Sequence, residues 1–97
     1  MKNNTLPNAL VHYLKTYCNV NAPLIDDLRK IIRKEKSPER SKEFRFQLAD
    51  AIVLQNISLS QYENLTDEDF DTQEDLTNWL RELWSEIFDD EPIPGDL

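Results

Sequence analysis

Residues 72–88 read TQEDLTNWLRELWSEIF, and this stretch decides the fold class of the 97-residue chain. Its large apolar residues recur at three- and four-residue spacings, which is the period of one continuous α-helical face. Thr72 precedes the apolar run and Asp75 stands three residues later, so the pair predicts a capped helix start. The predicted face consists of Leu76, Trp79, Leu80, Leu83, Trp84, Ile87 and Phe88. Trp79 and Trp84 diverge around the helix, so we expect at least one of them at the edge of this face.

The same period predicts three further main helices upstream. The first follows Pro7 and ends near Cys18, the second has Asn21 as its cap and Pro23 in its first turn, and the third starts at the Ser37–Pro38 pair. The predicted inward faces are Ala9, Leu10, Tyr13, Leu14 and Tyr17 in the first helix, Leu24, Ile25, Leu28, Ile31 and Ile32 in the second, and Phe44, Leu48, Ala51, Ile52 and Gln55 in the third.

A short extra helix is predicted to start at Ser58, because Gln61 stands three residues on and can return a hydrogen bond to the cap backbone. Its inward positions are Leu59, Tyr62 and Leu65. After the last helix, the prolines and the glycine of residues 91–97 predict an extended or frayed tail.

Glycine is nearly absent, since Gly95 is the only one in the chain. Phosphate-binding loops and tight hairpins depend on glycine where the backbone needs positive φ, so their usual forms are excluded. No strand-like alternation and no internal repeat accompany the helical segments. The sequence therefore predicts an all-α fold: one domain over residues 1–97, a small helical bundle of four main helices plus one short helix.

Charge divides the chain into two unequal parts. Residues 1–56 hold ten Lys and Arg against six carboxylates, which gives +4, and residues 57–97 hold one against thirteen, which gives −12, so the sum is −8. A concentrated field of one sign attracts macromolecules of the other sign. The single cysteine cannot form an internal disulfide, and the start of the chain lacks the apolar stretch of a secretory signal. We therefore expect a cytoplasmic protein without a membrane span.

Catalytic and metal-binding patterns are lacking. His12 and Cys18 fall on different faces of the first helix, so they do not predict a nucleophile and base pair. Asp67, Asp69 and Asp71 match the opening of a calcium-binding EF-hand loop, but a threonine replaces its glycine and an asparagine replaces its final glutamate. We expect no enzyme activity, no catalytic residue, no cofactor and no resident metal.

A basic stretch offers one alternative function, a nucleic-acid-binding regulator. Its cations are Arg29, Lys30, Arg33, Lys34, Lys36, Arg40, Lys42 and Arg45. Three glutamates interrupt it, and the helix-turn-helix that residues 47–65 suggest runs directly into acidic residues, which repel a duplex. The basic side chains also suit a second role, as counter-charges to the acidic half. Another alternative is an oligomeric adaptor that associates through the aromatic last helix.

The acidic half suits docking onto a basic protein, because its carboxylates lie beside the aromatic residues Tyr62 and Phe70. The segment FRFQLADAIVLQNISLSQYENLTDEDFDTQEDLTNWLRELWSEIFDD, residues 44–90, resembles the cytosolic immunity proteins of bacterial toxin systems, including the contact-dependent growth-inhibition and colicin-type families. The resemblance implies a non-enzymatic inhibitor that binds a cognate basic toxin domain, such as a nuclease, at its active site or at an exosite. The implied toxin-facing residues are Tyr62, Glu63, Asp67, Glu68, Asp69, Asp71, Glu74 and Asp75.

Overall fold

The computed structural model describes residues 8–21, 23–34 and 38–95, and these form five α-helices. The helices are α1 (Asn8–Tyr17), α2 (Ile25–Lys34), α3 (Pro38–Val53), α4 (Leu59–Thr66) and α5 (Gln73–Phe88). The described ranges contain no β-strand. The prediction of an all-α bundle with four main helices and one short helix is confirmed, with α4 as the short one.

The start of α2 was predicted wrongly. Asn21 does not cap this helix and Pro23 does not lie in its first turn, because the helix begins only at Ile25. The backbone N–H of Leu24 donates to the carbonyl of Tyr17 at 2.8 Å. This bond closes a turn between α1 and α2, so the chain turns there before it becomes helical.

The inward face of α2 is narrower than the apolar spacing predicts. Leu28 and Ile32 are buried, but Leu24 is 43% exposed and Ile31 is 36% exposed. Since α2 packs mainly on α5 and only slightly on α1, it buries a single stripe of side chains.

Helix α3 begins at Pro38, as predicted, while the proposed cap Ser37 lies outside the described residues, as does Pro7. Its predicted face is confirmed at Phe44, Leu48, Ala51 and Ile52, all of which are buried. Gln55 was predicted wrongly as part of that face. The helix ends at Val53, and Gln55 is exposed with a φ of 50°.

Helices α4 and α5 start at the predicted caps. Ser58 Oγ accepts the Gln61 N–H at 3.1 Å and Gln61 Oε1 accepts the Ser58 N–H at 2.8 Å, which completes a capping box. Thr72 Oγ1 accepts the Asp75 N–H at 3.0 Å. Each bond satisfies a backbone N–H that has no partner within the helix.

The same two helices end at an aspartate in the left-handed region. Asp67 has a φ of 62° after α4, and Asp89 has a φ of 53° after α5. Each cap N–H donates back to a carbonyl of the last turn, of Glu63 and Ser85 respectively. Aspartate tolerates this conformation better than most residues, so it replaces the glycine that the chain lacks at these positions.

The core lies among the packed helices: α2 and α3 pack on α5, and α1 packs on α3 and α4. Phe44 stands at its centre, with its ring 5.1 Å from that of Tyr13 and 6.4 Å from that of Phe88. Trp84 is 1% exposed and belongs to this core, whereas Trp79 is only partly buried. The expectation that one tryptophan lies at the edge of the apolar face is therefore confirmed for Trp79.

The segment after α5 is non-helical, but it is held against the bundle rather than frayed. Trp84 Nε1 donates to the carbonyl of Glu91 at 2.7 Å, and Ile93 packs against the core. The buried indole N–H thus obtains a partner from the tail. Residues 91–95 therefore pack on the surface of the helical bundle through Glu91 and Ile93.

Candidate partner-binding surface

The end of α4, the connection that follows it and the first turn of α5 carry a dense group of carboxylates, which we call the acidic surface. It consists of Glu63, Asp67, Glu68, Asp69, Asp71, Glu74 and Asp75. Glu68 is partly buried and the other six are exposed. Residues 63–75 contain no Lys, Arg or His, and the salt bridges found among the described residues are made by Asp89 and Glu91 instead. The acidic surface therefore keeps its negative charge facing solvent.

The backbone below the acidic surface is fixed by the buried residue Thr66. Its hydroxyl donates to the Tyr62 carbonyl at 2.9 Å and accepts the Glu68 N–H at 3.2 Å. Its own carbonyl accepts the Val20 N–H from the α1–α2 connection at 2.8 Å. The start of the acidic loop is thereby tied to a second part of the chain.

A further contact joins the same two segments at the surface, where Asn19 Nδ2 lies 3.4 Å from Asp67 Oδ2. Asn19 Oδ1 also accepts the Asn21 N–H at 2.8 Å, which orients the amide group. Sequence reasoning missed the supporting roles of Asn19 and Thr66. No local pattern reveals the link between the two segments, because Asn19 and Asp67 are 48 residues apart and the Val20 to Thr66 bond joins the same distant segments.

Tyr62 was predicted wrongly as a partner-facing residue. Its side chain is fully buried, and its hydroxyl oxygen accepts the Trp79 Nε1–H at 2.6 Å. Burial, reinforced by Cys18, raises the pKa of the Tyr62 hydroxyl well above its usual range. Tyr62 therefore links α4 to α5 beneath the acidic surface, and its side chain presents no exposed area.

Phe70 occupies the middle of the acidic loop and is partly buried. Its ring centroid lies 5.8 Å from that of Tyr62, so the loop folds down onto the core at this point. Trp79, also partly buried, lies on the other side of the Tyr62 hydroxyl. The carboxylates thus surround a small aromatic group whose outer members retain some exposure.

Glu68 differs from the other carboxylates of the acidic surface, because it is partly buried. Burial raises the pKa of its carboxyl, and the nearby charge of Asp69 raises it further. Glu68 consequently takes up a proton at a higher pH than an ordinary glutamate. Of the predicted partner-facing acids, it is the one least available to a partner.

His12 and Cys18 lie in different surroundings. His12 is exposed, with its ring 5.2 Å from that of Tyr13, whereas Cys18 is buried at 3% exposure. Burial, with a smaller contribution from Glu68, raises the pKa of the Cys18 thiol to about 12. A protonated and inaccessible thiol is a poor nucleophile, so Cys18 acts as a core residue.

The basic stretch is partly committed to intramolecular pairs. Arg29 and Arg33 both bind the carboxylate of Asp89, with Arg29 Nη2 at 2.9 Å from Oδ1. Arg45 Nη2 lies 3.1 Å from Glu91 Oε1, and its guanidinium carbon lies 5.6 Å from the centre of the Trp84 ring. These arginines neutralise the acidic end of α5 and its tail.

The described part of the chain lacks two other kinds of site. Within residues 8–21, 23–34 and 38–95, no three His, Cys, Asp or Glu side chains are grouped closely enough to hold a metal ion. Among the helices of the same ranges, none is both long enough and apolar enough to cross a bilayer.

No protein-family model, characterised protein or solved structure matches the chain.

Proposed function

We propose that the protein is a non-enzymatic immunity factor, which binds a cognate basic toxin domain through the acidic surface and neutralises it. The observation that carries the proposal is six exposed carboxylates within residues 63–75, a segment that contains no Lys, Arg or His. The proposed contacts are Glu63, Asp67, Asp69, Asp71, Glu74 and Asp75.

Two physical properties support binding to a basic protein. Carboxylates accept short, charge-assisted hydrogen bonds from Arg and Lys, and a field of one sign accelerates encounter with a partner of the other sign. The hydrogen bonds of Thr66 also hold the loop backbone in place before binding. A loop that is already ordered loses less conformational entropy when it binds.

A basic toxin domain such as a nuclease suits this surface, because enzymes that act on nucleic acid carry the positive charge that binds phosphates. An acidic protein that covers those cations competes with the substrate for the active site or for an adjacent exosite. We place this encounter in the cytoplasm, where such a substrate is found.

The intramolecular ion pairs of three arginines argue against the alternative that the basic stretch binds nucleic acid. Arg29 and Arg33 share the carboxylate of Asp89, and Arg45 pairs with Glu91, so two negative charges offset part of the three positive ones. A duplex that approached this side would meet these carboxylates as well. Lys30 and Lys34 on α2 and Lys42 on α3 remain exposed.

The test is affinity capture from the native lysate with three versions of the protein as bait. One bait is wild type, and one carries Glu63→Gln, Asp69→Asn and Asp71→Asn. The third is a matched control with Glu86→Gln, Asp26→Asn and Asp90→Asn, which are exposed acids elsewhere on the chain. Both variants remove three charges from −8, giving −5, so they differ only in where the charge is lost.

We expect the wild-type and control baits to retain the same basic protein and the acidic-surface bait to lose it. Co-expression of the captured protein with each version then tests neutralisation, and only wild type and control should protect growth. Capture of nucleic acid would support the regulator instead, and equal retention by all three baits would exclude the acidic surface as the binding site.

A further inference from the structure

The outer side of α3 carries three exposed residues in a single row. Lys42, Phe46 and Asp50 follow one another at intervals of four residues, and Phe46 is 54% exposed. Neither Lys42 nor Asp50 forms an ion pair within the described ranges. The row therefore presents an exposed aromatic ring between two charges of opposite sign that have no ion-pair partner in the described fold.

The equal spacing of the two charged residues about Phe46 indicates which kind of partner would match the row. Residues four apart lie on the same helical face and are separated by about 6 Å along the axis. Lys42 and Asp50 are therefore equally far from Phe46 on opposite sides. When a second α3 lies antiparallel over the first, with a two-fold axis at Phe46, each lysine faces the aspartate of the other copy.

We propose that this row is a self-association surface, whose occupant is a second copy of the same chain. The isologous contact pairs the two Phe46 rings at its centre and forms two Lys42 to Asp50 ion pairs around them. A parallel arrangement would place like charges together. The charge order of the row thus favours the antiparallel arrangement, which packs along rows of residues four apart.

The association is weak, because a single helical row buries much less than the roughly 1,200–2,000 Å² of stable interfaces. The net charge of −8 opposes it further at low ionic strength. Leu54, which is 65% exposed just after α3, adds apolar surface near one end of the row. We expect a dissociation constant of about 0.1–1 mM at physiological salt, where long-range repulsion is screened.

The experiment is sedimentation velocity across a concentration series that spans this range. Phe46→Ser should raise the dissociation constant at least tenfold. Lys42→Glu alone and Asp50→Lys alone should each do the same, because each places two pairs of like charges in contact. The matched controls Lys30→Glu and Asp26→Lys make the same changes in net charge on α2 and should associate like wild type.

The decisive sample is an equimolar mixture of the Lys42→Glu and Asp50→Lys proteins. Their net charges of −10 and −6 average to the wild-type value of −8, and every facing pair across the two-fold axis is then of opposite sign. We expect the mixture to recover association as a heterodimer, and the Lys42→Glu/Asp50→Lys double variant to recover it alone. A wild-type protein that stays monomeric throughout, or a mixture that fails to associate, would overturn the proposal.

Discussion

Removal of the Tyr62 hydroxyl tests whether Tyr62 is a buried support rather than a contact residue. In Tyr62→Phe, Trp79 Nε1 loses the acceptor that lies 2.6 Å away. A net hydrogen bond contributes about 0.5–1.5 kcal/mol, and a buried donor left without an acceptor costs about 1–3 kcal/mol. Because this hydrogen bond is only partly buried, the lower half of the range of about 1–3 kcal/mol applies.

We therefore expect Tyr62→Phe to lower the free energy of unfolding by about 1.5 kcal/mol, which corresponds to a fall in Tm of about 6–12 °C for a domain of this size. Differential scanning calorimetry measures this shift. Affinity for the basic partner should stay unchanged, since a fully buried side chain does not meet a partner.

Tyr17→Phe is the matched control for this measurement. Tyr17 is partly buried, and its hydroxyl makes no hydrogen bond in the described part of the chain. Its removal should change the free energy of unfolding by less than about 0.5 kcal/mol. Equal effects of the two substitutions would refute the reasoning, as would a loss of partner affinity in Tyr62→Phe without a loss of stability.

Three further predictions concern stability. Because the pKa of Cys18 is raised, the unfolded chain loses the thiol proton near pH 9 and the folded chain only near pH 12. The free energy of unfolding should therefore fall as the pH rises between these two values. In urea titrations over this pH range, Cys18→Ala should show a smaller fall than wild type. Parallel curves for the two proteins would contradict this. Asp89→Asn should cost about 0.5–1 kcal/mol, because its two arginine partners are 41% and 45% exposed. This loss of stability should become smaller when NaCl is added. The control Asp90→Asn keeps both ion pairs and should leave the free energy of unfolding unchanged. A loss that does not depend on salt would argue against the ion pairs. Ser58→Ala should lower unfolding free energy by about 1 kcal/mol through loss of the cap, whereas Ser60→Ala should not, as thermal melts of both would show.

Helix positions were the most predictable part of the fold, because the signals are local. The starts of α4 and α5 depend on side-chain to backbone bonds that span only three residues, so Ser58 and Thr72 were recognisable as caps. The start of α2 depends instead on the Leu24 N–H to Tyr17 bond, which forms only when α1 and α2 pack together. Propensity and capping rules do not contain that information.

The candidate site was predictable in its charge but not in its geometry. The helical spacing of α4 correctly predicted that Tyr62 lies on the inward face, whereas its acidic neighbours suggested contact with a partner. The side chain is buried in the core, as the spacing predicted. Arg29 and Asp89 are 60 residues apart, and the only signal of their pairing in the sequence is the opposite net charge of residues 1–56 and 57–97. Which carboxylates stay unpaired is decided by such tertiary contacts.

The most direct test of the proposed function is isothermal titration calorimetry of the captured basic partner against the two matched charge variants. The protein that lacks the charges of Glu63, Asp69 and Asp71 should bind at least about tenfold more weakly than wild type, a loss of about 1.4 kcal/mol. The control that lacks three charges elsewhere should stay within about threefold of wild type, since only the long-range field changes. Equal weakening in both variants would show that the acidity acts only as a diffuse field, and it would contradict a docking site on the α4–α5 connection.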